Sequence, residues 1–94
     1  MIGAFDMDHS IVPQLDPKLI YREKDRMLFD TEAGRIIELN NTGKEIIDFC
    51  VKKYSIGQML SALKSKYPNE PDAVIMNHLA NFFVKAKGEG LVSF

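Results

Sequence analysis

The sequence has little of what secreted and membrane proteins rely on. It contains one cysteine and no tryptophan, and no apolar run exceeds four residues. A lone cysteine, Cys50, cannot form an internal disulfide, which favours a reducing cytoplasm as the location. A membrane-spanning helix needs about 20 apolar residues in a row, and the N-terminal stretch lacks the basic and apolar regions of a secretory signal. We therefore expect a cytoplasmic protein without membrane contact.

An excess of charge of either sign is also absent, because the formal net charge is −1. Neutralisation of phosphates dominates nucleic-acid binding, so we expect no nucleic-acid partner. The 94 residues suffice for one hydrophobic core but not for two. We expect a single domain over residues 11–94, preceded by a flexible tail over residues 1–10 that shows no periodicity.

Alternating apolar and polar residues predict three short strands, at residues 19–23, 27–31 and 35–40. The connections between them are short and polar, which predicts an antiparallel meander. The alternation assigns six side chains to one face of this sheet, namely Leu19, Tyr21, Met27, Phe29, Ile37 and Leu39.

Helical periodicity follows the strands, with three helices that begin near Thr42, Ser55 and Asp72. Asn41 or Thr42 is the predicted N-cap of the first, and Glu45 completes a capping box with Thr42. Residues 91–94 suit a short last strand. The fold class is therefore α+β, a three-stranded antiparallel meander followed by three helices, which is also the set of elements in a winged helix-turn-helix.

Residues that could carry catalysis are scattered. His9 lies in the tail with Asp6 and Asp8, and His78 has no acidic or cysteine partner at ligand spacing on its helix. A metal site needs three or four convergent ligands. Cys50 belongs to an apolar helical stripe and has no flanking basic residue to activate it. We expect no enzyme activity, no catalytic residue, no metal and no cofactor.

The third helix is apolar over an unusually wide arc, roughly 200° on a helical wheel. A core-facing helix needs about half of that. One flank of the arc consists of Ala73, Met76, Ala80 and Val84. Either the N-terminal tail or residues 91–94 cover this flank, or it forms a groove for another chain.

The third strand, residues 35–40, is the last of the meander and therefore an edge. An exposed apolar edge promotes aggregation unless it is covered or used. An extended peptide could pair with it, main chain to main chain. The tail or a second copy of the chain could cover it instead.

One segment resembles a known family. LNNTGKEIIDFC (residues 39–50), after LFDTEAGRIIE and before SIGQMLSALKSKYP, is similar to the coenzyme PQQ synthesis protein D (PqqD) family. The fitting positions are Leu39, Asn40, Thr42, Gly43 and Ile46, with Gly90, Leu91 and Val92 after the third helix. The resemblance covers about residues 11–93. Many members have Asp-Gly between the first two helices, whereas residues 51–55 contain no glycine, which favours a PqqD-like relative serving another peptide.

The resemblance implies a non-catalytic domain that binds the leader part of a ribosomally made precursor peptide. The peptide would add as a strand beside residues 35–40, contact the third helix and be presented to a modifying enzyme, such as a radical S-adenosylmethionine enzyme. The implied peptide-binding residues are Arg35, Ile36, Ile37, Glu38, Leu39, Asn40, Met76, Ala80, Phe83 and Val84.

Two alternatives stay open at the level of sequence. The first is a winged-helix DNA-binding or regulatory domain, against which Glu70 and Asp72 place acidic charge at the start of the third helix. The second is a domain that dimerises through its third strand, so both a monomer and a homodimer are compatible with the sequence.

Overall fold

The computed structural model describes residues 8–94. The strands are β1 (Gln14–Leu15), β2 (Leu19–Arg22), β3 (Met27–Asp30), β4 (Arg35–Glu38) and β5 (Val92–Ser93). The helices are α1 (Asn41–Val51), α2 (Ile56–Lys66) and α3 (Asp72–Gly88), all between β4 and β5. The predicted third strand is thus β4. The prediction of an α+β fold with a three-stranded antiparallel meander followed by three helices is confirmed.

The three-stranded sheet has the order β2-β3-β4, and its register decides which side chains face the helices. Tyr21 pairs with Leu28, which pairs with Ile37, and Leu28 has no exposed surface. The row therefore faces the core, because directly paired residues share a face. The prediction that Met27 and Phe29 lie on this face is wrong, since they flank Leu28 and point the other way.

Side-chain caps fix where α1 and α2 begin. The side-chain oxygen of Asn40 accepts a hydrogen bond from the N–H of Gly43 at 2.7 Å, so Asn40 is the N-cap of α1. The predicted capping box of Thr42 and Glu45 is therefore wrong. A capping box is present instead at α2, where Ser55 caps the helix and Gln58 bonds back to its N–H.

A second ladder joins the two ends of the described chain. β1 and β5 pair antiparallel, and Leu15 lies opposite Val92. Val92 is buried, and the ring of Phe94 packs edge-on against Phe83 of α3 at 6.1 Å between centroids. Residues 91–94 thus contact α3 at Phe83, whereas Ala73 and Val84 of the apolar flank stay exposed.

The core lies between the three helices and is covered by the two sheets. Its completely buried apolar side chains include Ile46, Ile56, Met59, Leu79 and Phe83. Cys50 belongs to the same cluster. Burial raises the pKa of its thiol to about 12, so the thiolate that cysteine chemistry needs does not form near neutral pH.

The remaining sequence predictions concern the N-terminus and membranes. Residues 1–7, and with them Asp6, lie outside the described residues, so a flexible tail over residues 1–10 stays a prediction. His9 is described, and its carbonyl accepts a hydrogen bond from the N–H of Gly57 at the start of α2. Within residues 8–94, no helix has the length and apolar character to cross a membrane. The likeness to a winged helix-turn-helix stays a prediction.

Candidate functional site

The outer edge of β4 presents main-chain groups that no other described strand uses. The N–H of Leu39 donates to the carbonyl of Arg26 at 2.9 Å, so this is a hydrogen-bonded pair. Such pairs alternate along an antiparallel ladder. Ile37 therefore directs its N–H and C=O to β3, whereas Ile36 and Glu38 direct theirs away from the sheet. The edge thus offers two residues to an added strand.

A groove of about 360 Å³ opens beside this edge, between β4 and the C-terminal half of α3. We call it the strand groove. Its apolar lining comes from the sheet, α3 and the segment before β5, namely Leu28, Ile37, Leu39, Phe82, Ala86 and Leu91. Its polar lining consists of Glu38, Asn40, Asn81, Lys85 and Glu89. An apolar floor with a polar rim suits side chains of an amphipathic strand.

At the end of the strand groove near α1, Gly43 has no side chain, so α1 and α3 approach each other closely. A Cβ atom at Gly43 would lie 3.6 Å from the ring of Phe82 and 3.1 Å from Oδ1 of Asn40. The N-cap of α1, the first turn of the helix and α3 thus meet without a side chain between them. Leu39 lies 3.8 Å from the same Cβ position.

At the other end of the strand groove, Arg35 connects β4 to the C-cap of α3. Its guanidinium donates to the main-chain carbonyl of Glu89 at 3.3 Å and lies 3.4 Å from the carboxylate of Asp30. Asp30 is buried and also accepts the N–H groups of Glu32 and Ala33. The Ala33 N–H chiefly, then that of Glu32, hold the pKa of Asp30 below its usual value against the opposing effect of burial. The charged carboxylate therefore organises the turn before β4.

Four of the six predicted site residues of the strand region come together at the strand groove or its rim. Ile37 and Leu39 line the apolar floor, and Glu38 and Asn40 line the rim. Ile36 points to the opposite face of the sheet, where its side chain is 60% exposed. Arg35 does not line the groove but closes its end.

The four predicted site residues of the third helix are not brought to the strand groove. Ala80 and Phe83 have no exposed surface and belong to the core. Met76 lines a separate depression with His9, and Val84 is 60% exposed outside the strand groove. The physical reason is the orientation of α3, which turns Phe82 and Lys85 toward β4 and Phe83 toward the core and Phe94.

The flank of α3 that does face β4 was missed. It carries Asn81, Phe82 and Lys85, and the C-cap Glu89 follows on the same side. These positions recur at helical spacing, which is the signal a wheel provides. Phe82 continues the apolar arc of the helix, so a wheel alone does not separate it from the core residues.

The described chain does not bring catalytic groups together. Residues 8–94 contain no group of three or more histidine, cysteine, aspartate or glutamate side chains that could hold a metal ion. His78 is exposed on α3, and Cys50 is buried in the core. What the site offers is main-chain hydrogen bonding beside an apolar groove.

The fold and the groove define a small α+β domain in which the outer edge of β4 has no partner strand among residues 8–94. The chain matches the model of the family described as coenzyme PQQ synthesis protein D (PqqD) over residues 25–92, and it belongs to this family. No curated protein and no solved structure gives a significant match.

The matched region begins after β2 and contains β3, β4, all three helices and the start of β5. It is shorter at its N-terminal end than the resemblance in sequence, which begins near residue 11. The strand groove lies entirely within it. Membership of the family fits a peptide-binding role in PQQ synthesis and a protein that is not an enzyme.

Proposed function

We propose that the chain is a non-catalytic domain that binds the leader of a ribosomally made precursor peptide and presents it to a modifying enzyme, such as a radical S-adenosylmethionine enzyme. The observation that carries the proposal is the outward pair Ile36 and Glu38 on β4, directly beside an apolar groove. Family membership supports the same role.

The peptide adds antiparallel to β4, because this continues the alternation of β2, β3 and β4 and because antiparallel pairs are the more frequent. Its residue opposite Ile36 or Glu38 exchanges main-chain hydrogen bonds with the edge. Its residue opposite Ile37 shares the face of Ile37 and enters the strand groove. Alternate apolar residues in the peptide are therefore the recognition pattern.

The strand groove has room for about two such side chains. A cavity of roughly 150 Å³ holds one benzene molecule, and the groove measures about 360 Å³. Strand addition with a few anchors corresponds to binding in the micromolar to sub-micromolar class, on the order of −8 kcal/mol. This is strong enough to hold a leader and weak enough to release the product.

A capture experiment with two matched variants tests the proposal. Wild-type chain, Glu38→Pro and Glu38→Ala are immobilised, exposed to a lysate of the host, and the bound peptides are identified by mass spectrometry. Proline removes the outward N–H of β4 without touching a bond to β3, whereas alanine keeps it.

We expect a short precursor-like peptide on the wild type and on Glu38→Ala, and about tenfold less of it on Glu38→Pro, the effect of one lost hydrogen bond. Circular dichroism verifies that all three chains are folded. Equal retention by the three chains would rule out strand addition to β4. Copurification of a radical enzyme with the peptide would support the presenting role.

A further inference from the structure

A second depression, of about 180 Å³, lies where the first turn of α1 meets the end of α2 and the start of α3. We call it the helix pocket. Its lining includes Thr42, Glu45, Leu63, Tyr67, Val74 and Ile75. We propose that it binds one apolar side chain, aromatic or branched aliphatic, of the same peptide that adds to β4. This inference rests on the proposed function.

The walls of the helix pocket are held in place by contacts within the domain. The Tyr67 hydroxyl donates to the carboxylate of Glu45 at 3.0 Å, and Lys66 forms an ion pair with the same carboxylate. Leu63 and Ile75 are buried members of the core. An aromatic wall tied to α1 does not need to be ordered when a ligand enters, which lowers the cost of binding.

Apolar surface is left open to water in the helix pocket. Tyr67 and Val74 are two of the large apolar side chains that the fold exposes, at 38% and 36% of their surface, and they lie together on its wall. A dry cavity of about 150 Å³ lined by aliphatic and aromatic side chains binds benzene. The helix pocket has the size for one leucine, isoleucine or phenylalanine side chain.

The helix pocket and the strand groove lie in line along the same helix face. His78 lines the pocket and Phe82, one turn later on α3, lines the groove. Thr42 lines the pocket and Gly43, its neighbour on α1, lines the groove. One face of α3 and one turn of α1 therefore contribute to both.

The direction of β4 identifies the part of the peptide that reaches the helix pocket. β4 runs from Arg35 to Glu38 and continues through Asn40 directly into α1, so its C-terminal end lies at the turn that lines the pocket. A peptide antiparallel to β4 has its N-terminal end there. The occupant is thus a residue N-terminal to the strand-forming segment of the peptide.

The charge at the mouth limits what can flank this residue. Glu45 is neutralised by Lys66. Glu70 lines the pocket, is exposed and forms no ion pair with another residue of the range 8–94. A carboxylate beside the apolar anchor is disfavoured by repulsion from Glu70, and a basic residue beside it is favoured.

The first test uses benzene as a probe of the pocket itself. Methyl resonances of the isotopically labelled full chain are followed by NMR during a benzene titration. We expect the largest shifts at Leu63, Val74 and Ile75, and a loss of these shifts in Val74→Lys. Val84→Lys is the matched control, because Val84 is an exposed valine of the same helix that lies outside the pocket. Absence of shifts at these methyl groups would show that the helix pocket does not bind an apolar ligand and would overturn the proposal.

The second test uses a displayed library of random peptides selected separately on wild type, Val74→Lys and Val84→Lys. On wild type and on Val84→Lys we expect a strand motif with alternate apolar residues, preceded by one further apolar residue. On Val74→Lys the strand motif should persist and the preceding apolar residue should disappear. The affinity of a wild-type-selected peptide should fall about tenfold in Val74→Lys, the effect of one exposed apolar side chain.

The outcomes separate the two proposals. A strand motif without the preceding apolar residue on wild type overturns the helix pocket and leaves strand addition intact. A library that yields no strand motif on any chain overturns strand addition. It also overturns the peptide-binding role of the helix pocket, whatever the result of the benzene titration.

Discussion

The two flanks of α3 are similar in sequence but differ in what lies against them. One flank contributes Ala80 and Phe83 to the core, and the ring of Phe83 meets that of Phe94 after β5. The other contributes Phe82 and Lys85 to the strand groove beside β4. Two adjacent phenylalanines, whose rings meet edge to face at 5.2 Å, thus serve different purposes. An apolar arc wider than the core stripe indicates that a helix has a second contact, but it does not say on which side.

The largest expected effect comes from truncating the two phenylalanines separately. Phe83→Ala leaves a hole in the core and should lower the free energy of unfolding by about 3–5 kcal/mol. Phe82→Ala, at a half-buried position, should lower it by about 1–2 kcal/mol and weaken peptide binding. Urea unfolding and titration of a captured peptide separate the two. A larger loss of stability for Phe82→Ala would reverse the assignment of the flanks.

A proline on β4 distinguishes the covered edge of this strand from its open edge. Ile37→Pro removes an N–H directed at β3 and should cost about 2 kcal/mol or more in stability, since the carbonyl partner on β3 is left unpaired. Glu38→Pro should change stability by less than about 1 kcal/mol, because the N–H that it removes has no bonding partner among residues 8–94. Thermal unfolding measures both. If Glu38→Pro lowered stability more than Ile37→Pro, the assignment of which β4 residues bond to β3 would be wrong.

The sequence was sufficient for elements whose patterns are local. β2, β3, β4 and the three helices follow from alternation, helical spacing and turn residues, and the edge position of β4 follows from its place in the meander. The inner face of β3 was assigned incorrectly because Met27, Leu28 and Phe29 are all apolar and a run of three has no alternation. Only the pairing of Leu28 with Tyr21 and Ile37 decides between the two faces.

The residues that line the strand groove were anticipated on the strand side and not on the helix side. The strand residues depend on one turn and one register, which are local. Which of Ala80 and Phe82 faces the groove depends on how α3 packs beside β4, and the residues that meet there, such as Ile37 and Phe82, are far apart in the chain. A helical wheel treats both flanks alike, so only this long-range packing shows which flank of α3 lines the strand groove.

Gly43→Ala should weaken peptide binding at the strand groove with little effect on the free energy of unfolding. Alanine gains up to about 1 kcal/mol of helix propensity over glycine, which offsets the crowding of its methyl group against Asn40 Oδ1 at 3.1 Å. The same methyl group lies against Phe82 and narrows the strand groove, so peptide affinity should fall by about two- to threefold. Gly88→Ala is the control, because a Cβ there has no neighbour within 4 Å. Equal affinities of the two variants would show that the approach of α1 to α3 does not shape the groove.

The smallest effect is expected from titration of Asp30, which anchors the turn before β4 and holds Arg35 at the end of the groove. Its pKa is lowered in the folded chain, chiefly by the Ala33 N–H. Its contribution to stability is therefore present above the unfolded pKa of about 4 and is lost as the pH falls through the lowered folded value. Stability should decline below about pH 4 in the wild type, and Asp30→Asn should flatten that part of the curve while leaving the chain less stable at neutral pH. NMR of the Ala33 and Glu32 amides should show the same transition, since both N–H groups lose a charged acceptor. An Asp30→Asn chain with the acid curve of the wild type would mean that this carboxylate does not hold the groove end of β4 in place, and that the Arg35 contact with Glu89 suffices.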